Sequence, residues 1–285
     1  MYIGSMSDLF QAQYDIKAKL PRRSHKRKYD VDGKTWQKYS ISVWNDIKKS
    51  SKERRLKHPA IFPAELPGRL IEVLSFDDDI VLDPFVGTGS TMVAARERGR
   101  SSVGFDISEK FIQITKHRLS EVSFQGDDPP YQLFLDTAEN LKKYMASETI
   151  GLCVTSPPYW DILNQKRTAD YKEIQNYGGL SEDLGEIHIY EDFIGALKRI
   201  FADIYNILKP EKYCCIVLMD IRKKEKYYPF HVDTIKFMEE IGFMLDDIII
   251  WDRRSEYNNL RPLGHPYVFR VNKIHEFILI FKKCR

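Results

Sequence analysis

Residues 156–160, Ser-Pro-Pro-Tyr-Trp, follow directly on the apolar run of residues 150–155 and so stand at the carboxyl end of a β-strand. Two successive prolines cannot donate to a strand ladder, so pairing stops there and backbone carbonyls are left free to face a ligand. A hydroxyl, free carbonyls and flat rings together suit one task. They can accept the N–H bonds of a nucleobase's exocyclic amino group while a ring stacks on the base. Pro-Pro-Tyr also occurs in proline-rich ligands, so the tetrad takes its meaning from its company. That company begins with Asp83-Pro84-Phe85-Val86-Gly87-Thr88-Gly89-Ser90-Thr91, placed between a strand and a helix. Gly87 and Gly89 allow backbone conformations and a close ligand approach that a Cβ would block. Neither the third glycine of the dinucleotide fingerprint nor the Gly-Lys-Ser/Thr of a P-loop is present. Asp106 ends the next strand, where a carboxylate can either accept both hydroxyls of a ribose or cap the following helix. Asp136, ending a third strand, is placed to reach an adenine amino group, or to serve only its own turn.

The elements that must position these residues are legible as an alternation. Strands are expected at residues 80–82, 102–105, 132–135, 150–155, 213–219, 243–251 and 276–281. Helices are expected at 66–74, 90–97, 109–119, 138–145, 190–208 and 232–241. Such βαβ alternation predicts a doubly wound α/β fold, a mostly parallel sheet with helices on both faces and an antiparallel edge formed by the last two strands. The ligand crevice then lies at the carboxyl edge of the strands. Residues 161–185 and 253–272 break the rhythm as long irregular connections at that edge, where function concentrates. Residues 1–38 form a basic arm ahead of a catalytic domain at 39–285.

The 285 residues, 43% hydrophobic and 30% charged, are those of a globular protein. No apolar run reaches the roughly 20 residues of a membrane span, and no apolar signal core opens the chain, so a cytoplasmic location is expected. The four cysteines form no Cys-x-x-Cys pair, so a zinc site is not expected, and Cys153 and the Cys214-Cys215 pair, set in apolar strand-like runs, are expected to be buried free thiols. The net charge of +3 is unevenly spread. Residues 1–60 carry 15 Lys and Arg against 6 Asp and Glu, leaving 29 against 35 in the remainder. Basic runs at 22–28 and 48–55, with Trp36, Tyr39 and Trp44 between them, suit contact with phosphates or a solvated face.

The glycine segment, taken with Thr155-Ser156-Pro157-Pro158-Tyr159-Trp160, resembles the amino-group DNA methyltransferases that use S-adenosylmethionine. His58-Pro59-Ala60-x-Phe62-Pro63-x-x-Leu66 is similar to the family segment that closes over the methionine end of the cofactor. Trp44 and the basic stretch after it resemble the lead-in to that segment. Tyr177-Gly178, Leu184-Gly185, Ile249-Ile250-Trp251 and His275-Glu276-Phe277 resemble later family elements, so the likeness covers residues 40–285. It implies a Rossmann-like class I methyltransferase fold in which the cofactor half precedes the catalytic half, a permuted order. It implies catalysis by Ser156, Pro157, Pro158 and Tyr159. Cofactor contacts would come from Phe62, Pro63, Asp83, Phe85, Gly87, Gly89, Ser90, Thr91, Asp106, Asp136 and Ser156. Substrate contacts would come from Tyr159, Trp160, Arg253, Arg261 and Arg270. Serine at 156 is typical of the cytosine-N4 branch. The expected partner is double-stranded DNA, with a homodimer and a cognate restriction endonuclease as further partners.

The target amine lies inside the duplex, so the base must be flipped out, with Tyr159 or Trp160 stacking on it. Methylation of adenine N6 is the nearest alternative, since the same chemistry transfers directly. Guanine-N2 methylation of RNA is another, although such relatives usually carry aspartate or asparagine at 156. A non-catalytic nucleic-acid-binding module is the alternative from a different class.

Overall fold

Interior parallel strands are covered on both faces, and the most apolar runs of this chain become such strands. The protein, a computed structural model, is described over residues 31–56, 61–123, 128–161, 183–256, 260 and 262–285. Strands β1 (Val43–Trp44), β2 (Val81–Asp83), β3 (Ser102–Asp106), β4 (Tyr131–Leu135), β5 (Ile150–Thr155), β6 (Leu208–Leu218), β9 (Phe243–Asp252) and β10 (His275–Lys283) form one sheet. Their order is β1-β9-β10-β6-β5-β2-β3-β4. All neighbours are parallel except β10, which runs antiparallel to both β6 and β9. The carboxyl end of β9 and the amino end of β10 therefore share one edge with Thr155 and Asp106. A hairpin of β7 (Ile221–Lys223) and β8 (Lys226–Tyr228) follows β6 at that same edge.

Every residue of β2 and β5 is buried, and alternate side chains enter different layers. Leu82, Cys153, Cys214 and Ile216 face a core built with α7 (Tyr190–Ile207) and α8 (Phe230–Ile241). Val81, Leu152, Val154, Cys215 and Val217 face the layer of α3 (Glu65–Leu74) and α4 (Ser90–Glu97). Helix α7 buries Phe193, Ala196, Leu197, Ile200, Phe201 and Ile204, a spacing that puts one stripe against the sheet. Helix α5 (Glu109–Ser120) packs beside α4 and carries the groups that brace the glycine loop.

The helix expected at 138–145 is shorter, a 3-10 turn at Ala138–Asn140 followed by α6 (Leu141–Tyr144). Helices α1 (Gly33–Tyr39) and α2 (Ser51–Arg55), strand β1 and the β7–β8 hairpin were not expected. Trp44, set among basic residues in sequence, is buried at 2% exposure, with the Arg69 guanidinium 5.3 Å from its ring centre. It anchors the sheet edge and offers no face to phosphate. Lys49, in the second basic run, pairs with Glu256 at 3.4 Å. The run at 22–28 lies outside the described residues.

Candidate active site

The glycine loop begins at Asp83, whose side chain is buried behind it. Asp83 Oδ1 accepts from Thr155 Oγ1 at 2.7 Å and from the Phe85 N–H at 3.1 Å, tying the loop to β5. Burial pushes the Asp83 carboxyl up to about 6, against the pull of those hydrogen bonds. Gly87 and Gly89 have φ of 52° and 82°. At Gly89 a Cβ would lie 2.5 Å from Thr115 Cγ2, so space and conformation both require glycine there. From α5, Thr115 Oγ1 donates to the Gly87 carbonyl at 3.2 Å, and Arg118 Nη1 donates to the Thr88 carbonyl at 2.7 Å. The loop is thus fixed from behind, with its front open.

That front forms a concave cleft, open on one side to solvent. Phe62, Phe85, Gly87, Ser90, Asp106, Asp136, Ser156, Pro157, Pro158 and Tyr159 all line it. Sequence reasoning missed Ile61, Thr88, Ile107, Thr137, Ala138, Asp183 and Leu184, which also line it. The Asp183-Leu184 contribution follows from an Asp-x-Gly turn, in which Asp183 Oδ1 accepts from the Gly185 N–H at 2.8 Å. Among the described residues that line it, three are acids (Asp106, Asp136, Asp183) and none is Lys, Arg or His. The cleft therefore favours a cationic ligand.

Asp106 receives the Gly87 N–H on Oδ2 and the Ser108 N–H on Oδ1, each at 2.8 Å. Two carboxylate oxygens offer about four acceptor sites, so two remain for a diol. Burial pushes Asp106 up to about 6 as well, opposed by those two backbone N–H groups. Asp136 accepts from Tyr144 Oη at 2.6 Å and Asn140 Nδ2 at 2.7 Å, and the Tyr144 bond, the largest influence, holds its carboxyl below the usual range.

At the tetrad, the Ser156 hydroxyl stands close enough to that of Tyr159 to draw its pKa down, against the larger effect of burial. Tyr159 Oη donates in turn to Glu276 Oε2 at 3.2 Å. Burial, followed by the negative charge of Glu276, raises the Tyr159 hydroxyl well above its ordinary value. Glu276, 5% exposed at the start of β10, is held by Arg253 Nη1, and Arg253 Nη2 also reaches Glu256 at 2.7 Å. The tetrad thus rests on a buried ion network from the far end of the chain.

Several expected site residues sit elsewhere. Trp160 turns away at φ 44° and is 4% exposed. Its ring packs edge-on against Tyr190 and Tyr228 with the Lys223 ammonium 3.9 Å from its centre, so no base can stack there. Arg253 is committed to two carboxylates and stacks over Trp251 at 4.9 Å, so it is not presented to phosphate. Asp83 and Thr91 are buried behind the loop, Thr91 donating to the Val154 carbonyl at 3.3 Å, and Pro63 is buried beside the cleft without lining it. Gly89 acts through the loop's shape. Arg270 is half-buried in the connection before β10, away from the cleft. Arg261 and His58, with residues 162–182, lie outside the described residues. Among the described residues, no cluster of three or more His, Cys, Asp or Glu could hold a metal ion, and no helix is long and apolar enough to cross a membrane.

A family model described as DNA methylase, of the N6/N4 type, matches residues 6–117 and 150–285. The type II methyltransferase M.MthZI of Methanothermobacter thermautotrophicus is 35% identical over 145 residues, which are 47% of this chain and 39% of that protein. M.ScaI of Streptomyces caespitosus is 44% identical over 77 residues, which are 27% of this chain and 25% of that protein. These matches span well under half of either relative's length. Among solved structures, a SAM-dependent methyltransferase from Methanosarcina mazei is similar over 75% of this chain and 97% of its own, at 13% identity and a TM-score of 0.49.

Proposed function

The chain belongs to this DNA methylase family, and from that premise we propose that it transfers a methyl group to the N4 amino group of cytosine in duplex DNA. What supports this reading most is one juxtaposition: the glycine loop with Asp106 and the Ser156-Pro-Pro-Tyr159 segment line the same acidic cleft. The cofactor is S-adenosylmethionine, which supplies an electrophilic methyl group on a sulfonium sulfur. A cleft lined, among the described residues, by three carboxylates and no basic residue fits that cation, and the open acceptor sites of Asp106 fit its ribose.

The chain's own residues do the rest. An exocyclic cytosine amine is a poor nucleophile because its lone pair is delocalised into the ring. Ser156 Oγ and the Pro157 carbonyl accept its two N–H bonds and draw the nitrogen toward a tetrahedral form. The freed lone pair then faces the cofactor side of the cleft, and Tyr159 stacks on the flipped base. Catalysis is positioning by a preorganised set of acceptors, with no covalent enzyme intermediate. Serine at 156, as in the cytosine-N4 branch, favours cytosine over adenine N6. The connections at 161–185 and 253–272 are the candidate DNA-recognition loops, and their shortness suits two copies of the chain on one DNA site, with a restriction endonuclease of matching specificity as their counterpart.

Mass analysis of nucleosides from DNA treated with the protein and cofactor tests the assignment. N4-methylcytosine is expected, and it should vanish with Ser156→Ala while cofactor binding stays within about twofold. N6-methyladenine would replace the base assignment and keep the enzyme class. Unmodified DNA from wild-type protein would overturn both.

A further inference from the structure

The connection from β9 to β10 displays side chains that a folded monomer ordinarily hides. Tyr267 is 94% exposed, Phe269 88% and Val271 70%. They follow a turn that presents Tyr267, Val268 and Phe269 together to solvent, while Arg270 beside them is half-buried. The connection is nevertheless built to hold a shape. The Gly264 carbonyl accepts from the N–H groups of Tyr267 and Val268 at 2.9 and 2.8 Å. Gly264 has φ of 77°, and a Cβ there would lie 2.1 Å from the Val268 carbonyl oxygen. At its base, the Arg253 N–H donates to the Ile274 carbonyl at 2.8 Å, and Lys273 Nζ donates to the Asp220 carbonyl at the end of β6.

Two further observations say what these rings meet. First, Glu276, two residues past the anchored Ile274, receives the Tyr159 hydroxyl, so the connection rises beside the tetrad. Second, residues 257–275 contain Arg261, His265, Arg270, Lys273 and His275 and not one Asp or Glu. An acid-free, basic segment bearing bare aromatic rings complements a polyanion with stacked bases.

Resting on the DNA methyltransferase reading, we propose that Tyr267 and Phe269 form a wedge that enters the base stack of duplex DNA and occupies the gap left when the target base turns into the cleft. Unstacking a paired base costs free energy, and a ring inserted in its place offsets that cost. The wedge thus acts on access to the amine and leaves the chemistry at Ser156 untouched.

The test uses the full chain and a duplex bearing the methylated site identified by sequencing treated DNA. Both rings are removed together, Tyr267→Ala with Phe269→Ala; being exposed, they take no part in the core. The methylation rate on the fully paired duplex is expected to fall at least tenfold. A duplex mismatched at the target base, in which the pairing cost is already met, should restore the rate to within about threefold of wild type. The fluorescence rise of 2-aminopurine placed beside the target should be lost on the paired duplex. An unchanged rate on paired DNA overturns the wedge, as does an equal loss on paired and mismatched DNA. A switch from dimer to monomer in sedimentation, with paired-duplex activity intact, would assign the loop to a second copy of the chain and also overturn it. Wild-type protein inactive on every DNA would instead fail the underlying reading, an outcome distinct from these.

Discussion

Ser156 carries one hydrogen and two lone pairs, and its use to a substrate amine depends on where that hydrogen points. The Tyr159 hydroxyl bears on this: it donates its own hydrogen to Glu276, 3.2 Å away, which leaves its oxygen able to accept from the neighbouring Ser156. Both Ser156 lone pairs can then face the cleft as acceptors. Glu276 is held in place to accept that hydrogen by its buried ion pair with Arg253. Tyr159→Phe keeps the stacking ring and removes only the relay. Glu276→Gln keeps the shape, but its amide can donate to Tyr159 and reverse the chain. Each is expected to lower kcat about tenfold to a hundredfold, ~1.4–2.7 kcal/mol, with KM for DNA and cofactor Kd within about twofold. The double variant should lose no more than the worse single one, and a fully additive loss would disprove the shared polarity. Asp106 and Ser156 could be found in sequence because each ends an apolar run, at the edge where ligands bind. Glu276 could not, since its partner Tyr159 lies 117 residues away; the only local sign was one acid opening an otherwise apolar strand. Trp160 misled because adjacency to the tetrad suggested a shared face, whereas its positive φ turns the ring inward.

At the scale of elements, the long and strongly patterned pieces were readable and the short ones were not. Strand β5 announced itself as six apolar or small residues followed by Ser156 and two prolines, and α7 by an apolar stripe over 18 residues. Strand β1 has two residues and each arm of the β7–β8 hairpin three, too few to show a period of two. Their places are set by distant groups instead. Trp44 is fixed by packing over Arg69, itself gripped by Asp46 and Glu65 at 2.9 and 3.0 Å. The hairpin is fixed by Asp220, which receives the Tyr227 hydroxyl and the His231 N–H. The glycine loop was visible from its own residues, but the α5 groups that brace it, Thr115 and Arg118, looked like ordinary helix positions.

For the molecule as a whole, the two carboxyls raised to about 6 set opposing responses to pH. Between about 4 and 6 the folded protein holds more protons on Asp83 and Asp106 than the unfolded chain does. Their contribution therefore favours folding at the acid end of that window and is lost as pH rises through 6. For Asp83, 1% exposed, the rise to about 6 corresponds to ~3 kcal/mol. Asp46, held low by Arg69, acts in the opposite sense, its stabilisation being lost only as pH falls below about 4. Cofactor affinity should run against the first trend, because ribose hydroxyls need ionised Asp106 as acceptor. Calorimetry from pH 7.5 to 5 is expected to show S-adenosylmethionine binding weaken below about 6, and the Asp106→Asn variant should bind weakly at every pH without that slope. A wild-type affinity flat across pH 6 would remove Asp106 from the ribose site.

Cys153 and Cys214 face each other across β5 and β6, with Cys215 on the opposite face, and all three are sealed in the sheet's centre. Burial keeps the thiols of Cys214 and Cys215 well above the range in which they ionise, whereas Cys284 is exposed. The sheet therefore carries its own clock. An alkylating reagent should label one sulfur at once and the other three only when β5 and β6 come apart, so the slow phase times the opening of the strands that hold the tetrad in place. Cofactor held between Asp106 and Ser156, as proposed above, should lengthen it.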